Sequence, residues 1–260
     1  MGTIETLSAR RGYAVNSAGT AAGAVAGNSS SSTGFLAISY SSGVMTEVPN
    51  LADLPAVSEA LGINSSGQIV GLARTLPAWP LGSSGSGPWN AQSFFYDGSS
   101  IHYLPIAGPS MARAINDSGT IVGIFSPACS GFCAHAYSYS GSTLTDLTPS
   151  SVFGVADSIN AGGVVVGLFG TNAGAAHLFE YSGSTLTDLG TPTTNTNPIE
   201  PVSIDNSNNI ALSDGTTAYY YASSTYNSIP FLSGDSQSFA RSIDAGTVVG
   251  YSLPSGHPWQ

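Results

Sequence analysis

Seven of the chain's 20 charged residues crowd into 24 positions, where even spreading would put about two. They are Arg10, Arg11, Glu59, Arg113, Asp157, Glu200 and Arg241. Each lies three to six residues before one of six recurrent turn residues, Asn16, Asn64, Asn116, Asn160, Asp205 and Asp244. Arg113 and Arg241 are suited to clamp a carboxylate, a phosphate or a sugar oxygen, while Asp157, Glu59 and Glu200 can accept hydroxyls or act as a base. Arg11 and Tyr13 occupy the same positions and complete this candidate ligand-binding set. Ions of both signs gathered this way also suit a plainer role, pairing with one another across a wet channel. If the chain is an enzyme, Asp157, Glu59, Glu200 and Arg113 are its candidate catalytic groups, and a hydrolase or lyase is the class they fit.

Other chemistry-bearing residues are weaker signals. Trp79 and Trp89, two of three Trp, sit in the Pro- and Gly-rich insertion 73–93, a setting that suits stacking on sugar rings or docking on a protein. A plain cover over the underlying sheet would use the same composition. His135, His177 and His257 recur in one column, with Gln92 in the same place in the second copy. Separate repeats hold them apart, so the column points to a repeated hydrogen bond or packing role, and His135 and His177 are weak metal candidates. The acidic column Asp53, Asp146 and Asp188, with Glu5, fits a turn or strand-end cap. His102 stands in neither column.

Cys129 and Cys133 in PACSGFCAH are compatible with a disulfide or with two free thiols, and zinc spacing is missing. The lysine-free, Ser- and Thr-rich composition of exported proteins favours the disulfide. His135 would share a face with Cys133 on a strand, but a disulfide consumes that thiol. No G-x-S-x-G elbow singles out a serine, and no cofactor motif is evident.

These side chains need a frame, and the sequence writes one six times. LGINSSGQIVG (61–71), ARAINDSGTIVG (112–123), DSINAGGVVVG (157–167) and RSIDAGTVVG (241–250) share one pattern, with looser copies at 13–23 and 202–212. The turn residues are spaced by 48, 52, 44, 45 and 39 residues, and a period of this size built from short strands marks propeller blades. Within the third and fourth copies, four strand-length pieces follow one another and end in TLTDL. Asn opens the first turn and Gly supplies its positive φ.

The last copy lacks its fourth strand, and the chain begins with TIETL, which matches TLTDL. The expectation is therefore an all-β fold, a single six-bladed propeller of four-stranded blades over 1–260, closed by the N-terminal strand completing the last blade. The blades run approximately 8–54, 55–106, 107–148, 149–191, 192–232, and 233–260 plus 1–7.

The pattern Ile115-Asn116, Gly119, Val122-Gly123, followed by His135-Ala136-Tyr137 and by Asp188-Leu189-Gly190-Thr191, resembles the HAF repeat family of probable extracellular bacterial proteins. The likeness spans the chain and is sharp in copies two, three, four and six; copies one and five have Leu36 and Thr217 where the His falls. It implies an extracellular, propeller-like repeat and transfers no chemistry to particular residues.

Registered on the turn, the preceding residue is Val15, Ile63, Ile115, Ile159, Ile204 or Ile243, a core position. Two before the turn stand Ala14, Gly62, Ala114, Ser158, Ser203 and Ser242, all small, so something must approach that face closely. Three and five before it the columns vary, and simple alternation puts them on one face of an innermost strand lining the central channel.

A net charge of −10 with no Lys excludes a basic nucleic-acid footprint. No apolar run reaches membrane-spanning length. The expected protein is a monomeric binding or interaction module, extracellular or periplasmic, whose partner is a carbohydrate, a small molecule or a protein.

Overall fold

The computed structural model describes residues 10–26, 35–48, 56–75, 91–127, 133–151, 153–170, 176–192 and 200–254. Every regular element among them is a β-strand. The first sheet comprises β1 (Arg10–Val15), β2 (Ala21–Ala26), β3 (Phe35–Ser41) and β4 (Val44–Glu47). The second has β5 (Ala56–Ile63), β6 (Ile69–Thr75), β7 (Ala91–Tyr96) and β8 (Ile101–Tyr103). The third has β9 (Ser110–Ile115), β10 (Ile121–Phe125), β11 (His135–Ser140) and β12 (Thr143–Asp146). The fourth has β13 (Phe153–Ile159), β14 (Val165–Gly170), β15 (His177–Ser182) and β16 (Thr185–Gly190). The fifth has β17 (Glu200–Ile204), β18 (Ile210–Ser213), β19 (Ala218–Ala222) and β20 (Thr225–Ile229). The sixth pairs β21 (Asp235–Asp244) with β22 (Thr247–Pro254).

Strands follow one another in every sheet, so each four-stranded sheet is a meander of consecutive hairpins. The two strands expected to complete the sixth sheet fall on residues 3–7 and 256–260, outside the described residues. The chain divides into two compact units, residues 1–121 with 125–132 and residues 122–124 with 133–260.

The first hairpin of each sheet forms where Asn and Gly were expected to place it. Asn16 N–H bonds the Thr20 carbonyl and Gly19 N–H bonds the Asn16 carbonyl, both at 3.0 Å, and Asn64, Asn116 and Asn160 repeat the geometry. The fourth residue is Gly19, Gly67, Gly119 or Gly163, with φ of 78–80°. Glycine pays no steric cost there. In the fifth sheet Asn208 takes that place with φ 64°, one of the few side chains that tolerates it. The sixth hairpin is shorter: Asp244 pairs with Thr247 across Ala245 and Gly246, both at positive φ as a tight primed turn requires.

Within each unit, the first strand of one sheet lies on the face of the sheet before it. In the first unit β5 packs on β1, β2 and β3, and in the second β21 packs on β17, β18 and β19. Ala22, Ala37, Ala60, Ile63, Ile69 and Phe94 form the apolar cluster of the first stack. Ala211, Ala218, Ala240 and Ile243 form that of the last.

The small column is explained by this stacking. A side chain at Gly62 would meet the Arg113 carbonyl and the Cα of Ala114. Ser158 Oγ accepts the Ile204 N–H at 3.4 Å, and Ser203 Oγ accepts the Ile243 N–H at 3.3 Å. Small residues here let neighbouring first strands approach to hydrogen-bonding distance.

The core column needs one correction. Ile63, Ile115, Ile159, Ile204 and Ile243 are 4–9% exposed, but Val15 is 68% exposed. Burial at this position comes from the preceding sheet.

Candidate functional site

The variable column three residues before the turn is the place where the first strand breaks its ladder. Pairing runs Gly12 to Gly23 and then Ala14 to Ala22, passing over Tyr13. The same slip passes over Leu61, Asp157 and Arg241, and over Val202 with its neighbour in the fifth sheet. Each is a β-bulge, which frees one residue from the ladder, bends the strand and re-aims its side chain. The alternation that put positions three and five before the turn on one face therefore does not run through this point. The residue three before the turn is itself the extra one.

The bulge also accounts for the glycine that ends four of the repeats. A Cβ on Gly23, Gly71, Gly167 or Gly250 would strike the carbonyl of Arg11, Glu59, Val155 or Phe239, in each case the residue five before the turn. The four positions flanking the bulge are thus committed to the frame. Ala60, Ala112, Ala156 and Ala240, one before the bulge, are at most 2% exposed. Ser58, Ser110 and Ser238, three before it, accept the backbone N–H of Ala37, Ser93 and Ala218 through their hydroxyls. In the fourth sheet Gly154 stands in that place, and Thr148 supplies the hydroxyl, accepting the Ala136 N–H at 3.0 Å.

In the first unit, Tyr13 and Glu59 meet. The Tyr13 hydroxyl donates to Glu59 Oε2 at 2.8 Å, with Tyr13 40% exposed and Glu59 half-buried. The same phenol and, to a lesser degree, Glu59 raise the Arg11 guanidinium pKa, and its charge stacks 4.5 Å from the Phe35 ring centroid. Partial burial pushes the Tyr13 phenol up, Arg11 pulls it back, and Glu59 pushes it further up. The result is a solvent-facing relay of cation, phenol and carboxylate. Arg113, in the same unit, is half-buried at its own position in the column.

In the second unit, Arg241 lies over the Tyr251 ring at 5.1 Å and donates to its hydroxyl at 2.8 Å, and Phe239 stacks on Tyr251 with ring centroids 5.1 Å apart. Asp157 is half-buried. Glu200 opens β17, and its side chain lies outside the described residues, as do Trp79, Trp89 and Cys129. Cys133 is disulfide-bonded.

The histidine and aspartate columns prove to be two halves of one feature that separate treatment missed. His135 Nδ1 lies 2.6 Å from Asp146 Oδ2, and His177 Nδ1 lies 2.9 Å from Asp188 Oδ2, each pair joining the third and fourth strands of a sheet. The second carboxylate oxygen caps the strand end, accepting Thr148 N–H at 3.0 Å and Gly190 N–H at 2.8 Å. The constant spacing of 11 residues in both copies was the signal available in the sequence. His102 has a separate partner, Asp97 at 3.0 Å, in the outer turn of the second sheet. Among the described residues, no three His, Cys, Asp or Glu side chains gather as metal ligands would.

No protein-family profile matches the chain, and no curated protein is similar to it in sequence. Solved structures do resemble it. Pyrococcus horikoshii acylaminoacyl peptidase matches 96% of this chain and 42% of its own, with a TM-score of 0.60 and 12% identity. Virginiamycin B lyase from Staphylococcus aureus matches 93% of this chain and 77% of its own, with a TM-score of 0.55 and 12% identity. The fold is of the β-propeller kind. TolB from Acinetobacter baumannii is a further propeller neighbour, with a TM-score of 0.49, 12% identity, and 77% of this chain against 48% of its own. The chain spans less than half of the peptidase and of TolB.

Proposed function

We propose that this chain is an exported β-propeller of six HAF-type repeats that binds a polar ligand through its bulge column. One observation carries the reading. Around the bulges of the second, fourth and sixth sheets the neighbouring positions are spent on hydrogen bonds, buried alanines and a glycine forced by a carbonyl, whereas the bulged residue changes from Leu61 to Asp157 and Arg241, and is Tyr13 in the first sheet. A position relieved of framework duty and free to vary is where recognition can be written.

The chemistry at that column selects the ligand class. Arg11 and Arg241 are exposed guanidinium groups backed by the rings of Phe35 and Tyr251, an arrangement that holds the planar fork in place for a carboxylate or a ring hydroxyl. Tyr13 and Glu59 add a donor and an acceptor for hydroxyls. A carbohydrate bearing a carboxylate fits the Arg11, Tyr13 and Glu59 group of the first unit, and Arg241 on Tyr251 offers the second unit a carboxylate site of its own. Trp79 and Trp89, which lie outside the described residues, are the aromatic candidates for stacking on a sugar ring.

The test is a calorimetric titration against uronic-acid and neutral oligosaccharides, using the intact chain and the Arg241→Ala, Tyr13→Phe and Trp79→Ala/Trp89→Ala variants. Binding to the acidic sugars that falls about tenfold or more in Arg241→Ala supports the reading. Affinity that is unchanged in all three variants overturns the assignment of the site.

A further inference from the structure

We propose that Arg74 is the cation of a binding site for a small organic carboxylate, on the second sheet and apart from the bulge column. Arg74 stands near the end of β6, paired with Val57 on β5 and with Ala91 on β7. Its Nε is buried and has no hydrogen-bond partner, and it is the one such side-chain atom among the described residues. The residue as a whole is half-buried, so the guanidinium is not sealed away from solvent. An arginine cannot shed its charge, and all five of its N–H groups are donors. A buried donor left unpaired on a permanent cation costs stability, and it calls for a reason.

The frame does not ask for this residue. Ten positions after the turn, where Arg74 stands, the first, third and fourth sheets have Ala26, Ser126 and Gly170. Nor do its neighbours answer its charge. Val57, Leu72 and Ala91 share its face by register, and all three are apolar. The carboxylate on that face is Glu59, which pairs with Leu72 and is therefore the diagonal neighbour of Arg74. Glu59 instead accepts the Tyr13 hydroxyl at 2.8 Å, from the first sheet. Arg74 is left without a counter-ion among the described residues.

An oxyanion from outside the chain completes it. A carboxylate bound side-on accepts from Nε and one Nη together, and a turn about the last side-chain torsions brings that edge to the ligand. A monocarboxylate suits the site better than a phosphate does. Arg74 is a single cation on a lysine-free chain of net charge −10, where a dianion would meet uncompensated repulsion. Val57, directly across from Arg74 and half-buried, gives the body of an organic acid an apolar edge to lie on. The site uses neither Tyr13 nor Arg241, so it stands or falls independently of the acidic-sugar reading.

The experiment uses the full chain in a zwitterionic buffer, with sodium benzoate as the probe and sodium chloride as the ionic-strength control. Benzoate is expected to raise the thermal midpoint by a few degrees. It should also move one arginine Nε–H resonance, the one that disappears in Arg74→Met. That variant keeps an apolar stem and removes the unpaired charge, so without benzoate it should melt at or above the parent's midpoint, and benzoate should not raise it further. In Arg241→Ala the Arg74 signal should still move, which separates this site from the bulge column. A midpoint that falls by several degrees in Arg74→Met overturns the proposal, because the fold itself would then be using the charge. So does an Arg74 signal that benzoate leaves in place, or one that inorganic phosphate moves and benzoate does not.

Discussion

Asn64 Nδ2 donates to the backbone carbonyl of Asn116 at 3.2 Å, joining the first turn of the second sheet to the first turn of the third. Asn16 reaches the Asn64 carbonyl at 3.0 Å, and in the second unit Asn160 reaches the Asp205 carbonyl at 3.1 Å. The side-chain oxygen of the same residues closes their own turn, as when Asn64 Oδ1 accepts the Gln68 N–H at 3.0 Å. One amide thus does two jobs, and this is why the turn residue recurs. Asp205 has no donor, and the direction reverses: its Oδ2 accepts the Gly246 N–H at 2.8 Å.

Replacing Asn64 with Ala should leave the Asn116 carbonyl short of a donor in a site where Asn64 is 3% exposed. The expected loss is about 1–3 kcal/mol. Urea unfolding of Asn64→Ala against the parent checks it. Asn64→Asp should lose at least as much near neutral pH, since a carboxylate cannot donate to that carbonyl.

Gly71→Ala should be among the most damaging small substitutions in the chain. The added methyl would strike the Glu59 carbonyl and the Phe94 ring, and a backbone carbonyl held in a bulge cannot swing aside. A cost of about 1–3 kcal/mol or more is expected. Gly12→Ala is the control: nothing lies within 4 Å of its new carbon, so its thermal midpoint should stay near that of the parent.

Acid should destabilise the second unit through Asp205 and Asp214. Burial by itself would raise both carboxyls, but hydrogen bonds outweigh it and both titrate below the usual range. The donors to Asp205 are Asn209, Gly246 and Ser207, and those to Asp214 are Thr217, Thr216 and Tyr219. A depressed carboxyl contributes stability above its unfolded pKa, near 3.9, and that contribution disappears as pH falls through the folded value. Unfolding midpoints should therefore drop steeply below about pH 4. Asp205→Asn should flatten part of that slope while lowering stability at neutral pH, because the amide cannot reproduce every accepted N–H.

The two His–Asp pairs should differ in worth. His135 and Asp146 have side chains 11% and 28% exposed, against 42% and 48% for His177 and Asp188. Asp146→Ala removes a half-buried partner and the cap on Thr148, with an expected loss of about 1–3 kcal/mol. Asp188→Ala removes a wetter pair, with an expected loss of about 1 kcal/mol or less. Chemical denaturation of the two variants side by side decides the ordering.

The sequence by itself determined the repeat, its period and the β character of the fold, because hairpin turns are local. Asn116 and Gly119 specify their turn through backbone φ and hydrogen bonds that lie within a few residues. Burial of the isoleucine column followed from the same registration, since a side chain one before a fixed turn always faces the same way. Pairing across the sheet was harder to see. His135 and Asp146 lie 11 residues apart and meet only because β11 and β12 fold back with a particular register. The bulge at Tyr13, Leu61, Asp157 and Arg241 was hidden altogether, because it depends on two strands carrying unequal numbers of residues between the same partners. What covers a residue was likewise undecided by its type. Val15 and Ile243 occupy the same column, and Ile243 is buried because the fifth sheet packs against it. Turn chemistry is written in adjacent residues, whereas burial and strand slip are set by chains that approach from far along the sequence.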